Sequence, residues 1–286
     1  MKLTAASRRA AGIGLGVLLL GAPTPGQAQQ VGYSGGIQLA SGGYGFQSST
    51  GSFALFNGLD LSAGRLRAWF QVPYIIQSSP WVSFAGTGMV PSGGPYNGTV
   101  GEHTSGGGMM SGGTMTMPDS GQYAHASLGD PLAGASFEAV RESAGRPSVR
   151  LTVAIKAPLA NPTRGFGTGA WDGSAGLSLA KSFGRTIVLA SAAYWVLGDL
   201  PGLTLQDPVV YSVAVGRLFG TTGKVSALTT FSGSTGIIAD RTGPRQVGAG
   251  ASYRLNQKRT IGVLANIGLT PTAPDLSLLL TWQIRF

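Results

Sequence analysis

The feature that most constrains this chain is a two-residue alternation of apolar and polar side chains. In residues 276–286, one parity reads Leu, Leu, Leu, Trp, Ile, Phe and the other reads Ser, Leu, Thr, Gln, Arg. Because successive side chains of a β-strand point to opposite faces, the segment predicts a strand with one apolar and one mainly polar face. The same alternation recurs at 66–76, 149–156 and 261–267. The chain is therefore expected to be all-β.

The N-terminal segment predicts export from the cytoplasm. Three basic residues precede an apolar run at 10–22, and small residues surround Ala28. This order is typical of a secretory signal peptide, here residues 1–28 with cleavage near Ala28. No later stretch reaches the ~20 continuous apolar residues of a membrane-spanning helix. A secreted β-protein and an outer-membrane β-barrel over 29–286 are the remaining classes.

Composition excludes several kinds of site. The chain has no cysteine, which excludes disulfide scaffolds and cysteine-based zinc sites, and two histidines cannot form a three-histidine metal centre. The three basic residues of the predicted signal account for three units of the net charge of +9 and leave +6. This modest excess gives little reason for a nucleic-acid partner, and none is expected.

Strand counting favours a transmembrane antiparallel barrel of about twelve strands. The strands are predicted at 33–46, 51–62, 65–77, 126–141, 147–157, 170–182, 185–197, 207–218, 223–233, 244–255, 258–268 and 275–286. An even number returns both ends to the periplasm, and the connections alternate between short turns and mostly longer loops, the longest about 78–125. The apolar rows would face outer-membrane lipid. The terminal aromatic Phe286 resembles the signal read by the barrel assembly machinery, which is therefore an expected partner.

Strand parity also selects charged residues that are expected to line the lumen. These are Asp60, Arg67, Glu138, Arg150 and Lys156. In addition, 13 of the 17 basic residues after the predicted signal fall near the predicted periplasmic rim. Two interpretations remain open, namely long side chains that reach lipid head groups and an axial field that draws anions toward the periplasm.

The loop before the sixth predicted strand contains an unusual glycine-rich segment. Glycines at 165, 167 and 169 predict backbone turns with positive φ. Asp172 is expected to accept hydrogen bonds from amides of the same turn.

Several short motifs resemble one family of bacterial outer-membrane proteins. They are Gln-Val-Pro-Tyr at 71–74, Leu-Gly-Asp-Pro-Leu at 128–132, Lys-Ala-Pro at 156–158, Gly-Phe-Gly-Thr-Gly at 165–169 with Asp172, and Tyr194 to Asp199. Together they resemble the transporter-like family labelled "MetA-pathway of phenol degradation". The resemblance implies a barrel that takes up a small solute, passively or through a gate, with hydrophobic or aromatic solutes suggested by the label. It carries over no catalytic residue, and we expect the protein not to be an enzyme.

A methionine-rich loop raises an alternative function. His103, Met109, Met110, Met115, Met117 and His125 cluster in sequence among Gly, Ser and Thr. Thioether sulfur is a soft ligand that suits Cu(I), so this loop predicts copper handling at the cell surface as one hypothesis. A flexible apolar loop or plug without metal is the other hypothesis, and under it the protein needs no cofactor.

Two further interpretations remain. His125 and Ser127 share one strand face, predicted to be the lipid face with Ala133, and resemble the His-x-Ser pair of outer-membrane phospholipase A. The next predicted strand, 147–157, has no asparagine to orient the histidine, which counts against this enzyme. An adhesin or purely structural barrel is the last alternative.

Overall fold

The computed structural model describes residues 29–46, 49–92, 125–200 and 202–286. Fifteen strands form in this part of the chain. They are β1 Gln30–Gly42, β2 Thr50–Ala63, β3 Leu66–Gln77, β4 Ser83–Ala85, β5 Gly88–Val90, β6 His125–Leu128, β7 Leu132–Val140, β8 Ser148–Lys156, β9 Asp172–Phe183, β10 Thr186–Val196, β11 Val209–Phe219, β12 Val225–Ser234, β13 Arg245–Arg254, β14 Arg259–Gly268 and β15 Leu276–Arg285. Pro162–Arg164 form a single 3-10 turn. None of the described residues belongs to a helix long and apolar enough to cross a membrane.

Thirteen of these strands form one sheet that closes on itself. Each strand pairs antiparallel with its neighbours, and β1 pairs with both β2 and β15. Strands β6 and β7 both pair with β3, so they are two halves of one barrel strand. The result is a closed barrel of twelve strands, which confirms the predicted fold class. Closure also includes the chain end, since the Phe286 amide donates to the Val31 carbonyl at 2.9 Å.

The break between β6 and β7 was not predicted. Leu128 pairs with Tyr74 and Leu132 pairs with Gln71, so the β6–β7 side contains one extra residue. Pro131 has no amide hydrogen for the ladder, and the Gly129 amide donates instead to the Pro73 carbonyl at 2.8 Å. These features make a β-bulge, which reverses the side-chain parity between the two halves.

This bulge overturns the predicted orientation of the His-x-Ser pair. His125 pairs with Gln77 and Ser127 pairs with Ile75, and both partners are buried on the inner side of β3. The neighbouring Leu128 is 60% exposed and lies on the outer face. The expectation that His125 and Ser127 face lipid was therefore wrong. It assumed that the side-chain alternation of β7 continues unbroken into β6, whereas the extra residue between them reverses it.

Elsewhere the predicted alternation is present. The outer face carries a belt of exposed apolar side chains, including Leu66, Leu151, Val153, Ile267 and Leu276. A soluble protein rarely exposes so large an apolar surface, whereas a lipid bilayer requires one. The inner face carries glycine, serine, threonine and amide side chains between fewer apolar ones.

The connections differ at the two ends of the barrel. One end, here the short-turn end, has connections 64–65, 141–147, 184–185, 220–224 and 255–258. The other, the long-loop end, has connections 43–49, 78–124, 157–171, 197–208, 235–244 and 269–275. In outer-membrane barrels the short turns are periplasmic. The 13 basic residues predicted near the periplasmic rim lie at this short-turn end, whereas Lys156 lies at the long-loop end. They are Arg65, Arg67, Arg141, Arg146, Arg150, Lys181, Arg185, Arg217, Lys224, Arg254, Lys258, Arg259 and Arg285.

Candidate functional site

A short hairpin from the connection after β3 lies inside the long-loop end of the barrel. Strands β4 and β5 pair with each other, and Ala85 and Val90 are fully buried. The Phe84 amide donates to the Gly165 carbonyl at 3.2 Å, and the Phe84 ring lies 6.2 Å from that of Phe56 on β2. The hairpin is therefore packed against both the barrel wall and the connection after β8.

A buried charged group holds this arrangement together, and we call it the Lys156 cluster: Lys156, Asp130, Thr168 and Asp172. The Lys156 ammonium lies 2.7 Å from Asp130 Oδ2, 2.7 Å from Thr168 Oγ1 and 3.4 Å from Asp172 Oδ2. Lys156 is 1% exposed, Asp130 1% and Asp172 2%. Buried charges are tolerated where they are paired and hydrogen-bonded, as these are.

The two aspartates of the cluster also bind backbone amides of separate segments. Asp130 accepts a hydrogen bond from the Ala160 amide at 2.7 Å. Asp172 accepts hydrogen bonds from the Gly86 amide of the hairpin at 2.9 Å and from the Gly198 amide after β10 at 3.0 Å. The expectation that Asp172 serves amides of its own turn was therefore wrong. It joins the hairpin to the next long loop instead.

The predicted positive φ is present at two of the three glycines of the segment 165–169. Gly165 and Gly169 have φ of 75° and 74°, in the left-handed region that favours glycine. Gly167 serves another purpose, because a Cβ there would overlap the Asp130 carboxylate. The segment can approach the Lys156 cluster closely only because this position lacks a side chain.

The other four predicted lumen residues form a second group near the short-turn end, the lower charge cluster: Asp60, Arg67, Glu138 and Arg150. Arg67 is ion-paired with Asp60, with its Nε 3.1 Å from Asp60 Oδ1. Glu138 and Arg150 are register partners on β7 and β8, and Arg150 Nη1 donates to Ser136 Oγ at 3.4 Å. The four side chains are two acids and two bases, so the lower charge cluster has no net formal charge, and Glu138 Oε2 also lies 3.7 Å from Arg141 Nε.

A cavity occupies the barrel between the hairpin and the lower charge cluster, and we call it the main cavity. Its volume is about 90 Å³. One water molecule needs roughly 10–15 Å³, so the main cavity has room for a small solute. Neutral polar and apolar side chains dominate its lining, among them Ser34, Gln71, Phe56, Asn266 and Leu279. The charged side chains that reach it, Asp130 and Lys156, are paired with each other.

A second, upper cavity of about 50 Å³ lies on the other side of the hairpin tip. Gln38 and Gln246 line both cavities, while Thr87 and Met89 of the hairpin line the upper one. Tyr44, in the connection after β1, also lines the upper cavity, and burial raises the pKa of its phenol well above the ordinary value. The phenol therefore stays neutral at physiological pH. The two cavities lie in series, separated by the tip of the hairpin.

Sequence reasoning identified Lys156 but did not assign its partners. Asp130, Lys156 and Asp172 each lie in a quoted motif, yet the motifs are separated along the chain. A usable signal was present, since Lys156 ends β8 and Asp172 begins the adjacent β9 at the same end of the barrel. Contact of the five predicted lumen residues with a solute stays a prediction.

The predicted copper ligands lie mostly outside the part of the chain that the structure describes. This holds for His103, Met109, Met110, Met115 and Met117. His125 begins β6. Within the described ranges, no group of three or more His, Cys, Asp or Glu side chains could hold a metal ion. Copper binding stays a prediction.

Comparison with solved structures identifies the architecture. An outer membrane channel from Pseudomonas putida F1 has 13% sequence identity over 93% of this chain and 100% of its own, with a TM-score of 0.65. The β domain of the Bordetella autotransporter BrkA aligns at 11% identity over 91% of this chain and 100% of its own, with a TM-score of 0.48. The P. putida toluene transporter TodX aligns at 12% identity over 92% of this chain and 89% of its own, with a TM-score of 0.41.

The last two likenesses are too remote to bear on function. No protein-family model matches the sequence, and no curated protein sequence matches it. The first likeness, at 13% identity, establishes the fold alone. The described chain thus has the fold of a twelve-stranded outer-membrane β-barrel.

Proposed function

We propose that this protein is an outer-membrane channel that admits a small solute into the periplasm. The observation that carries the proposal is a cavity inside a closed barrel, narrowed at its long-loop end by an inserted hairpin. A purely structural barrel would gain stability by filling this space with apolar side chains, because close packing is the rule in protein interiors. Here Ser34, Gln71 and Asn266 instead present neutral polar groups to the space.

The proposed solute is small and uncharged, with an apolar or aromatic part. Support comes from the apolar side chains Phe56, Phe84 and Leu279 in the cavity lining, and from the pairing of the charged groups. The resemblance of the 128–132, 156–158 and 165–169 motifs to the "MetA-pathway of phenol degradation" family agrees with a transport role. Passage is gated rather than freely open, since the hairpin occupies the lumen.

Single-channel recording of the refolded mature protein in a planar bilayer tests the proposal. Discrete openings, with a reversal potential measured under a salt gradient, are the expected result. The protein must first be shown to be folded, for which the shift in gel mobility on heating is a suitable control. A silent bilayer from folded protein, together with no uptake of uncharged solutes by cells that express it, would contradict a channel.

Outer-membrane assembly is expected to depend on the terminal aromatic. The Phe286 side chain is 69% exposed, whereas its backbone amide closes the barrel. Phe286→Ala keeps the amide, so we expect in vitro refolding to be unchanged and the level of assembled protein in cells to fall several-fold. Semi-native electrophoresis of outer-membrane fractions measures this level. The control is Phe183→Ala, which changes an exposed aromatic at the end of β9. Equal levels for Phe286→Ala, wild type and this control would refute a role for Phe286 in assembly.

A further inference from the structure

The upper cavity has the composition of a small-molecule site. Most of its wall is apolar, with Ala40, Val210, Ile237 and Pro274 from several elements of the long-loop end. A few polar side chains converge on it, among them Gln38, Thr87 and Gln246. Binding sites for small organic ligands combine an apolar wall with a few fixed polar groups in this way. None of the described side chains that line it is charged.

Two hydroxyls at this cavity, those of Thr87 and Tyr44, lack among the described residues the hydrogen-bond partner that their burial requires. The Thr87 hydroxyl is buried and makes no hydrogen bond to any described residue, and the whole residue is 9% exposed. A buried hydroxyl without a partner is costly, and such groups in native proteins are uncommon. The Thr87 hydroxyl can therefore form a hydrogen bond with a molecule within the upper cavity.

The backbone around Thr87 fixes this group in place. The preceding Gly86 amide is bound by Asp172 at 2.9 Å, and a side chain at Gly86 would overlap the Trp195 ring. The following Gly88 has φ of 115°, which favours glycine. Thr87 therefore lies at the tip of the β4–β5 hairpin, which is fixed in place on the side that packs against Trp195. The upper cavity extends on the opposite side, toward Gln38 and Gln246.

We propose that the upper cavity is an entry site for an uncharged solute with an apolar body and one hydrogen-bonding group. This inference deepens the proposed function and rests on it. The polar group of the solute pairs with the Thr87 hydroxyl, and the body packs on the apolar wall. Gln38 and Gln246 border both cavities, so their amides receive the polar group as the solute moves past the hairpin tip. A charged solute is rejected because no opposite charge replaces its hydration.

Block of the ion current by a matched pair of probes tests the site. Benzyl alcohol and benzoate have similar bodies, but only the first is uncharged at neutral pH. Added on the long-loop side, benzyl alcohol is expected to reduce the wild-type current at concentrations about tenfold lower than benzoate. The variant Thr87→Val removes the hydroxyl and keeps the shape. It is expected to raise the half-blocking concentration of benzyl alcohol roughly fivefold, as the loss of one hydrogen bond predicts.

Thr229→Val is the control, because Thr229 lies on the exposed face of β12 and the same change there should leave the block unaltered. Binding is measured separately by the ¹⁹F NMR line width of 4-fluorobenzyl alcohol with folded protein in micelles. Binding that Thr87→Val weakens, in a protein without ion current, would support the site and contradict the channel. Equal block by benzoate, or block and binding unchanged in Thr87→Val, would overturn the inferred site.

Discussion

Replacing Lys156 with methionine is expected to raise the single-channel conductance several-fold while the barrel stays assembled. Lys156 is the one cation of its cluster, so the change leaves Asp130 and Asp172 buried without an ionic partner. Removing one partner of a buried ion pair typically costs about 3–5 kcal/mol. The two carboxylates can then be stabilised by taking up a proton or by contact with water, and water reaches them when the segments that cover them move apart.

The structure indicates which segments would move. The wall of the barrel is held by continuous backbone ladders on both sides of β8 and does not depend on Lys156. The hairpin reaches the cluster through one amide contact, from Gly86 to Asp172. The connection 157–171 reaches it through more contacts, from the amides of Ala160 and Thr168, the Thr168 hydroxyl and the Ala170 carbonyl. The hairpin is therefore the segment with the fewer contacts to the cluster. The loss of stabilisation should therefore release the hairpin from the lumen. Its release widens the narrowest part of the route through the barrel.

Two further variants keep this prediction falsifiable. Asp172→Asn retains an acceptor oxygen and the residue size but removes one charge, so its conductance should lie between wild type and Lys156→Met. Lys181→Met removes a lysine that contacts Ser143 and Glu142 in the short-turn end, and it should behave as wild type. Unchanged conductance in folded Lys156→Met would mean that the cluster does not hold the hairpin in the closed arrangement.

The parts of this molecule that the sequence predicts are those governed by local periodicity. Alternation gave the inner position of Lys156 and Arg67 and the outer position of Leu151, because lipid and lumen impose opposite chemistry on adjacent residues. It failed at 129–131, where one extra residue shifts the register. A bulge changes the apolar–polar alternation of a sequence very little. Here the sequence feature that marks it is the Gly-Asp-Pro tripeptide.

The hairpin and the contacts of the Lys156 cluster could not be predicted from local sequence periodicity. Strands β4 and β5 contain three residues each, too few to establish a period. Their position depends on the Asp172 carboxylate, which is distant in sequence from Gly86. Only the topology brings these groups together, through the adjacency of β8 with β9 and the burial of Trp195 beside the tip. Thr87 was missed for the same reason.

Neutralising the two acids of the lower charge cluster is expected to convert the pore to strong anion selectivity. In wild type, Asp60 pairs with Arg67, and Glu138 lies opposite Arg150. The double variant Asp60→Asn/Glu138→Gln leaves two positive charges in the lumen with no acid beside them. Two unit charges about 4 Å apart interact by about 1 kcal/mol in water and more strongly in a narrow pore. We therefore expect the ratio of chloride to potassium permeability to rise by about fivefold or more.

Reversal potentials under a potassium chloride gradient measure this change. Repeating the measurement at higher salt distinguishes an electrostatic effect of the lumen charges from a change in pore shape. Raising the salt from 0.1 to 1 M shortens the screening length from about 10 to about 3 Å, so an electrostatic gain in selectivity should shrink. The control Glu142→Gln removes an acid at the same end of the barrel that binds Ser182 and is exposed. It should leave the permeability ratio unchanged. Equal selectivity in wild type and the double variant would show that permeating ions avoid the lower charge cluster, whereas a gain that persists at 1 M salt would indicate a changed pore shape.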